Sequence, residues 1–267
     1  MFEITIFSIR FSYYQVCCVL YVINIILQIR WFVCCIFIHQ LIYMSKNKYF
    51  TPFHFVLFIS LSFSISLVVF RVLTTRQLRY TFLVWNLFLA VIPYVIAFFT
   101  YHFKEKLPSY ILAPVLFLWL IFLPNAPYLL TDLVHLHPSH SFIFWYDLVL
   151  LLSCGWNGLV LGLISMAYIQ EIIQSRWNKA IAWMVSFCCM FLCSFGIYLG
   201  RILRWNSWDA LTNTQDVFAD IADRFINPLS HGRTLGVTLF YGIFLFILYL
   251  FFRLFIQSDS LRITKSN

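Results

Sequence analysis

Charged residues are scarce in this chain, and their scarcity excludes a soluble globular protein. Only 10% of the residues are Asp, Glu, Lys or Arg, while 62% are hydrophobic. Soluble domains typically contain about 25% charged and about 45–50% hydrophobic residues. The composition therefore predicts a polytopic membrane protein. The 18 Lys and Arg residues are scattered between apolar runs, which is typical of helix-end anchors and argues against a nucleic-acid partner.

The sequence also lacks a Cys-x-x-Cys motif and a recognisable cleavable signal peptide. None of the eight cysteines forms a Cys-x-x-Cys pair, so we interpret the cysteines as small buried hydrophobic residues. The first apolar run carries Asn24, Gln28 and Arg30 and lacks a small-residue cleavage site, so it does not match a cleavable signal peptide. We expect insertion through the membrane helices themselves.

Long apolar runs are what the chain does have. Six segments approach the roughly 20 residues that a bilayer-spanning helix needs. The sequence predicts an all-α transmembrane bundle with six core helices near 53–70, 81–103, 107–123, 148–169, 181–199 and 234–256.

Residues 1–44 stand apart from this membrane domain of residues 45–267. They contain two Cys-Cys pairs and a run interrupted by Arg30, whereas Met44 opens the sequence Met-Ser-Lys-Asn-Lys. Two interpretations stay open: translation begins at Met44, or the segment forms one extra N-terminal membrane helix. A peptide from residues 1–43 in purified protein would exclude the late start.

An even number of spans places three linkers on one side of the membrane, which we call the motif face: residues 71–80, 124–147 and 200–233. This face carries seven Lys and Arg residues and the opposite face nine. Because positive loops favour the cytoplasm, we expect a multi-pass cell-membrane protein with cytoplasmic termini and extracytoplasmic motif loops.

The segment Leu123–His140 is the strongest candidate site. Pro124 and Pro127 lack the backbone donor of a helix interior, so a membrane helix should break there. If a short helix follows, Tyr128, Asp132 and His135 share one of its faces. Ionisable residues near a membrane are expensive and are therefore functional candidates.

Three interpretations of this segment remain open. Asp132 and His135, with Asp147 nearby, suit general acid–base catalysis. Asp132 and His135 also suit a divalent metal site, with a third ligand from His137, His140, Asp147 or elsewhere, since catalytic zinc usually takes three protein ligands. In the third interpretation Asp132 only bonds freed backbone groups and the histidines lie in the wet interface.

The second long linker opens with a cationic, aromatic rim formed by Arg201, Arg204 and Trp205. Guanidinium groups offer paired donors to phosphate or carboxylate, although Arg and Trp are also ordinary interfacial anchors. Candidate substrate-binding residues are Asn125, Tyr128, Arg201, Arg204, Trp205, Asn206 and Asp209. Asn206 and Asp209 also match a helix N-cap and its third residue.

Residues 214–226 predict a short amphipathic helix. Val217, Phe218, Ile221 and Phe225 form an apolar stripe, with Asp216, Asp220 and Asp223 on the other side. We expect this helix to lie on the membrane plane and to cover the bundle like a lid.

Glycine is missing from the first 154 residues and then recurs at i, i+4 spacing in three pairs: Gly158/Gly162, Gly196/Gly200 and Gly232/Gly236. Small residues at this spacing let helix backbones approach closely in lipid. We therefore expect the second half of the chain to hold the tightest helix packing, and the Phe-rich first half to be looser or more exposed to lipid.

Four motifs resemble one known family: Trp85–Ala90, Leu123–His135, Trp145–Asp147 and Gly196–Asp209. They are similar to a bacterial membrane family known as domain of unknown function 1361 (DUF1361), over roughly residues 71–255. The resemblance implies a membrane location and a helical architecture, and it implies no mechanism.

Our functional expectation is an enzyme or binding site for a lipid-linked or anionic amphipathic substrate on the motif face. A small transporter and a structural or partner-binding membrane subunit are the alternatives. The bilayer is the one partner that the sequence predicts, and a divalent metal is the one cofactor that its residues suggest.

Overall fold

The computed structural model describes residues 52–136, 142–205, 207 and 209–264. Two compact units divide the chain, residues 1–58 and 59–267. Of the first unit, only residues 52–58 are described, and they form the start of a helix. The alternatives for residues 1–44 lie outside the described residues.

All regular secondary structure in the described residues is helical. The helices are α1 (Pro52–Thr75), α2 (Phe82–His102), α3 (Ser109–Phe122), α4 (Asn125–Thr131), α5 (Phe142–Arg176), α6 (Lys179–Tyr198), α7 (Asp209–Thr212), α8 (Thr214–Ile226) and α9 (Gly232–Thr264). Two 3-10 turns, Asp132–His135 and Pro228–His231, and one π-helical turn, Leu199–Leu203, join them.

Six spans in the described residues are long and apolar enough to cross a membrane, which confirms the predicted fold class. Helix α5 is longer than predicted, because it begins at Phe142 instead of Leu148 and continues to Arg176. Asp147 therefore lies within a helix and not at its start. Two-thirds of the apolar part of α5 is buried, the largest buried share among the six spans of the described residues.

The third span is interrupted, as the prolines predict. Helix α3 ends at Phe122 and α4 begins at Asn125, with Pro124 between them. The interruption frees carbonyl groups, and side chains satisfy two of them. Asn125 Nδ2 donates to Phe122 O at 3.0 Å, and Ser207 Oγ donates to Ile121 O at 3.4 Å. Freed backbone is thus paired within the protein, as membrane depth requires.

Glycines hold α4 between α5 and α6. A Cβ on Gly158 would collide with the carbonyl oxygen of Ala126, and a Cβ on Gly196 would collide with the Pro124 ring. The first two glycine pairs therefore mark close packing, as predicted. The third pair, Gly232 and Gly236, does not mark a close approach, since no heavy atom of a described residue lies within 4 Å of a Cβ placed there.

The amphipathic helix forms where the sequence predicts it, as α8. Val217 on its apolar stripe is buried, whereas Phe218 is 62% exposed. Asp220 on the other side accepts a hydrogen bond from the Trp205 indole at 2.7 Å. This bond fastens α8 to the linker that follows α6.

Candidate functional site

Asp132 is buried and fully engaged at the motif face. It opens the 3-10 turn that ends the third span, and only 1% of the residue is exposed. Arg201 Nη2 lies 2.5 Å from Oδ1, and Asn86 Nδ2 donates to Oδ2 at 3.1 Å. A buried carboxylate is costly unless it is paired. The arginine and the amide together provide that compensation.

Arg201 is fixed on several sides. It lies in the π-helical turn after α6, and its Nε and Nη2 donate to Thr131 Oγ1 at 2.9 and 2.6 Å. Its guanidinium stacks over the Tyr128 ring, 4.2 Å from the ring centre. Nη1 lies 3.2 Å from His135 Nε2. Since a guanidinium only donates, Nε2 is the acceptor in this contact.

Asp147 forms a second buried pair next to the first. Arg71 Nε and Nη2 reach its two carboxylate oxygens at 2.5 and 3.1 Å, a two-point arrangement typical of strong Arg–carboxylate pairs. The Tyr80 hydroxyl donates to Oδ2 at 3.2 Å. Burial, and then the charge of Asp147, raise the pKa of the Tyr80 hydroxyl above its ordinary value. Tyr80 therefore stays a donor.

Tyr80 also lies between the two pairs. Its hydroxyl is 3.5 Å from the carbonyl oxygen of His135, in the turn that begins with Asp132. We call Arg71, Tyr80, Asp132, Asp147 and Arg201 the paired-charge cluster. Because each carboxylate already holds an arginine, the cluster is internally neutral.

The other candidate residues take separate positions. Asn125 Nδ2 donates to Ser207 Oγ at 2.8 Å and so supports the broken span. Arg204 has a left-handed backbone, with φ of 65°, and is exposed. Asp209 begins the short helix α7. Asn206 lies outside the described residues.

The metal prediction stays a prediction. Among the described residues, no group of three or more His, Cys, Asp and Glu side chains is placed to hold a metal ion. His135 Nε2 lies 4.0 Å from Asp132 Oδ1. His137 and His140 fall outside the described residues, so neither is placed as the third ligand.

A cavity of about 360 Å³ lies beside the cluster. Its walls come from α2, the broken third span, α6 with its π-helical turn, the following linker and α8. Its polar side chains are amides, hydroxyls and indoles, and none of the described lining residues is charged. They are Trp85, Asn86, Asn125, Tyr128, Trp205 and Ser207. Val217 and Ile221 of α8 close one side, as expected for a lid.

The cavity also reaches the apolar outer surface of the bundle. Phe117 of α3 and Leu192 of α6 belong to its lining and are 63% and 45% exposed. Exposed apolar side chains on membrane spans face lipid chains. We call this space the lidded cavity.

Several residues in or next to the cluster were not among the sequence candidates. Arg71 was counted only as a topology charge, although an arginine directly after an apolar run can indicate a buried partner. Asn86 falls within the Trp85–Ala90 motif, but it was given no role of its own. Tyr80 and Thr131 carried no signal in the sequence, since either is ordinary at a helix end.

Comparison with known proteins gives one match. A family described as protein of unknown function (DUF1361) matches residues 85–248, more than half of the chain. This range contains Asp132, Asp147 and Arg201 but not Arg71 or Tyr80. Neither a curated protein nor a solved structure matches the chain significantly.

Proposed function

The chain belongs to the DUF1361 family, and since that family brings no activity with it, we propose a function from the geometry of the motif face. The protein is a multi-pass membrane protein that binds an amphipathic lipid or lipid-linked molecule in the lidded cavity. Its apolar chain enters sideways past Phe117 and Leu192. Its polar end meets the hydroxyl and amide groups near Tyr128 and Asn125.

The observation that carries this proposal is the side opening of the cavity. A site for a water-soluble ligand would open to water and not to the lipid-facing surface. Here Phe117 and Leu192 form part of the lining and of the lipid-facing surface at once. The volume of about 360 Å³ falls within the range of about 300–1,000 Å³ that is usual for ligand pockets.

The paired-charge cluster supports binding more than catalysis. General acid–base catalysis needs a group that can exchange a proton with the substrate. Asp132 is held by Arg201 and Asn86, and His135 Nε2 accepts from Arg201. The cluster is suited to fixing the Tyr128 wall of the cavity, because Arg201 stacks on that ring. Acid–base and metal chemistry remain predictions from the sequence.

Photocrosslinking tests the proposal. The protein in nanodiscs is illuminated with diacylglycerol that carries a diazirine on one acyl chain, and crosslinked peptides are located by mass spectrometry. We expect enrichment in residues 117–128 and 192–205. Ile221→Trp fills part of the cavity and should remove most of this labelling. Phe218→Trp on the same helix is the matched control, because Phe218 is exposed and does not line the cavity.

Two results would contradict the proposal. One is labelling spread evenly over all spans, and the other is equal labelling of the Ile221→Trp and Phe218→Trp variants. Phosphatidic acid with the same photoreactive chain tests the anionic part of our expectation. Because the lining is uncharged, we expect diacylglycerol to label the cavity more strongly than phosphatidic acid. Stronger labelling by phosphatidic acid would instead support an anionic substrate.

Lipid transport is the second candidate function, favoured by the interrupted third span and the π-helical turn beside it. Interrupted helices are common at transporter binding sites. In proteoliposomes, a transporter would move fluorescent phospholipid between leaflets, where dithionite reduction reports it. A binding protein would leave the rate of empty liposomes unchanged.

We also propose cytoplasmic termini and extracytoplasmic motif loops, from the charge distribution. A cysteine placed at Ser139 should react with a membrane-impermeant maleimide in intact cells, in a background without other reactive cysteines. Labelling that needs lysed cells would reverse the orientation.

A further inference from the structure

A second cavity lies at the end of the bundle opposite the motif face. It has a volume of about 600 Å³ and is lined by Lys104, Glu105, Ser109, Ser175, Arg176 and Trp177. Lys104 and Glu105 lie in the α2–α3 linker and Ser109 begins α3, whereas Ser175 and Arg176 end α5 and Trp177 follows it. We call it the basic cavity, and it shares no lining residue with the lidded cavity.

Arg176 is fixed in this cavity without a carboxylate partner. Its Nη2 donates to the carbonyl oxygens of Lys104 and Leu107 at 2.8 and 2.5 Å, and its Nη1 donates to Ser109 Oγ at 3.1 Å. Within the described residues no Asp or Glu oxygen lies within 4.0 Å of its nitrogens. Neutral acceptors fix the guanidinium but leave its charge uncompensated, in contrast to Arg71 and Arg201.

Lys104 adds a second charge, and Trp177 gives the cavity a membrane-surface character. Lys104 Nζ lies 4.6 Å from the centre of the Tyr101 ring, which holds the ammonium group without neutralising it. Trp177 is 58% exposed, and exposed tryptophan at the end of a span is typical of the headgroup level of a bilayer. Glu105 contributes one opposing carboxylate, so the lining has a net charge of +1 from Lys104, Arg176 and Glu105.

We propose that the basic cavity binds a phosphate group, and that an anionic phospholipid headgroup supplies it. Arginine and lysine next to hydroxyl groups are the donors that phosphate oxygens prefer. Basic pockets at helix ends bind phospholipid headgroups in membrane proteins. The site is independent of the proposed function, because it lies at the other end of the bundle.

The test compares three single substitutions in the α2–α3 linker of the full chain. Lys104→Gln removes a lining charge, and Lys106→Gln removes a charge from the same linker that does not line the cavity. Glu105→Gln removes the opposing carboxylate. Binding of phosphatidylglycerol is titrated by native mass spectrometry, with phosphatidylcholine as the uncharged comparison and inorganic phosphate as the free anion.

We expect Lys104→Gln to weaken phosphatidylglycerol binding about fivefold, since one basic residue near an anionic surface contributes about that factor. Glu105→Gln should strengthen binding, and Lys106→Gln should change it less than twofold. Equal losses for Lys104→Gln and Lys106→Gln would overturn the proposal, because they would show general surface attraction. No preference of the wild type for phosphatidylglycerol over phosphatidylcholine, together with no phosphate binding, would also overturn it.

Inorganic phosphate distinguishes the two sources of the anion. If free phosphate competes with phosphatidylglycerol at millimolar concentration, the cavity is a phosphate site and the lipid tail contributes little. If it does not compete, the lipid headgroup is the ligand. Arg176→Gln is a further variant, but it also removes bonds to two carbonyl groups, so Lys104 is the primary test.

Discussion

Replacing Gly158 by alanine should separate α4 from α5, and the same change at Gly236 should not. A Cβ on Gly158 would collide with the Ala126 carbonyl oxygen and lie 2.7 Å from Leu129 Cδ1. Backbone atoms of Ala126 cannot rotate away as a flexible side chain would. Relief of the collision therefore requires a shift of α4 as a whole.

The magnitude follows from two opposing terms. Overpacking a filled interface costs about 1–3 kcal/mol, while replacing glycine in a helix by alanine contributes up to about 1 kcal/mol. At Gly158 the collision dominates, so we expect a net loss of about 1–2 kcal/mol. At Gly236 a Cβ has no described neighbour within 4 Å, so only the helix term remains. The helix term is common to both variants, so they should differ by the overpacking cost of about 1–3 kcal/mol.

The assay is equilibrium unfolding in mixed micelles, with the mole fraction of sodium dodecyl sulfate as the denaturing variable. Helix content by circular dichroism gives the free energy of unfolding of each variant. Photocrosslinking of the Gly158→Ala variant adds a functional measurement, since a shift of α4 moves the Tyr128 wall of the cavity. A difference below about 0.5 kcal/mol between the two variants would refute the packing of α4 on glycine, because surface-like changes stay within that range.

Four further substitutions have defined outcomes. Asp132→Asn and Arg201→Gln should each lower the free energy of unfolding by about 3 kcal/mol in the same assay, because each leaves a buried partner unpaired. The double variant should lose less than the sum of the two single losses. Strict additivity of the two losses would contradict the pairing. Ser207→Ala should cost about 1 kcal/mol, since it removes the hydroxyl that supports the broken span; an unchanged free energy would contradict that support. Asp220→Asn should increase hydrogen–deuterium exchange in residues 214–226, and unchanged exchange there would show that this carboxylate does not fasten the lid.

The sequence predicted the parts of the fold that depend on local chemistry. Apolar length located the six spans, because the bilayer imposes that length on each helix. Pro124 located the interruption of the third span, since a missing backbone donor acts within one turn. The apolar stripe that contains Val217 and Ile221 located α8, because residues on one face of a helix are three or four positions apart in the sequence. Each of these signals lies within a few residues of the structure that it produces.

The partners of the charged residues could not be predicted in the same way. Arg71 and Asp147 are 76 residues apart in the chain, and no local pattern connects them. The sequence predicted Arg201 and Arg204 together as parts of one cationic rim. In the structure Arg201 lies in the π-helical turn and pairs with Asp132, whereas Arg204 follows that turn with a left-handed backbone and is exposed. The sequence therefore did not show which arginine meets Asp132.

The length of the continuous helix α5 shows how far apart its charged residues lie across a membrane. Asp147 and Arg176 lie on this one helix, 29 residues apart, which corresponds to about 44 Å at about 1.5 Å per residue. A bilayer with its headgroups is about 40–45 Å thick. In a membrane crossed by α5, the two charged residues therefore reach the two headgroup layers. The Arg71–Asp147 pair then lies at the boundary between lipid and water, where its cost is far lower than in the hydrocarbon core.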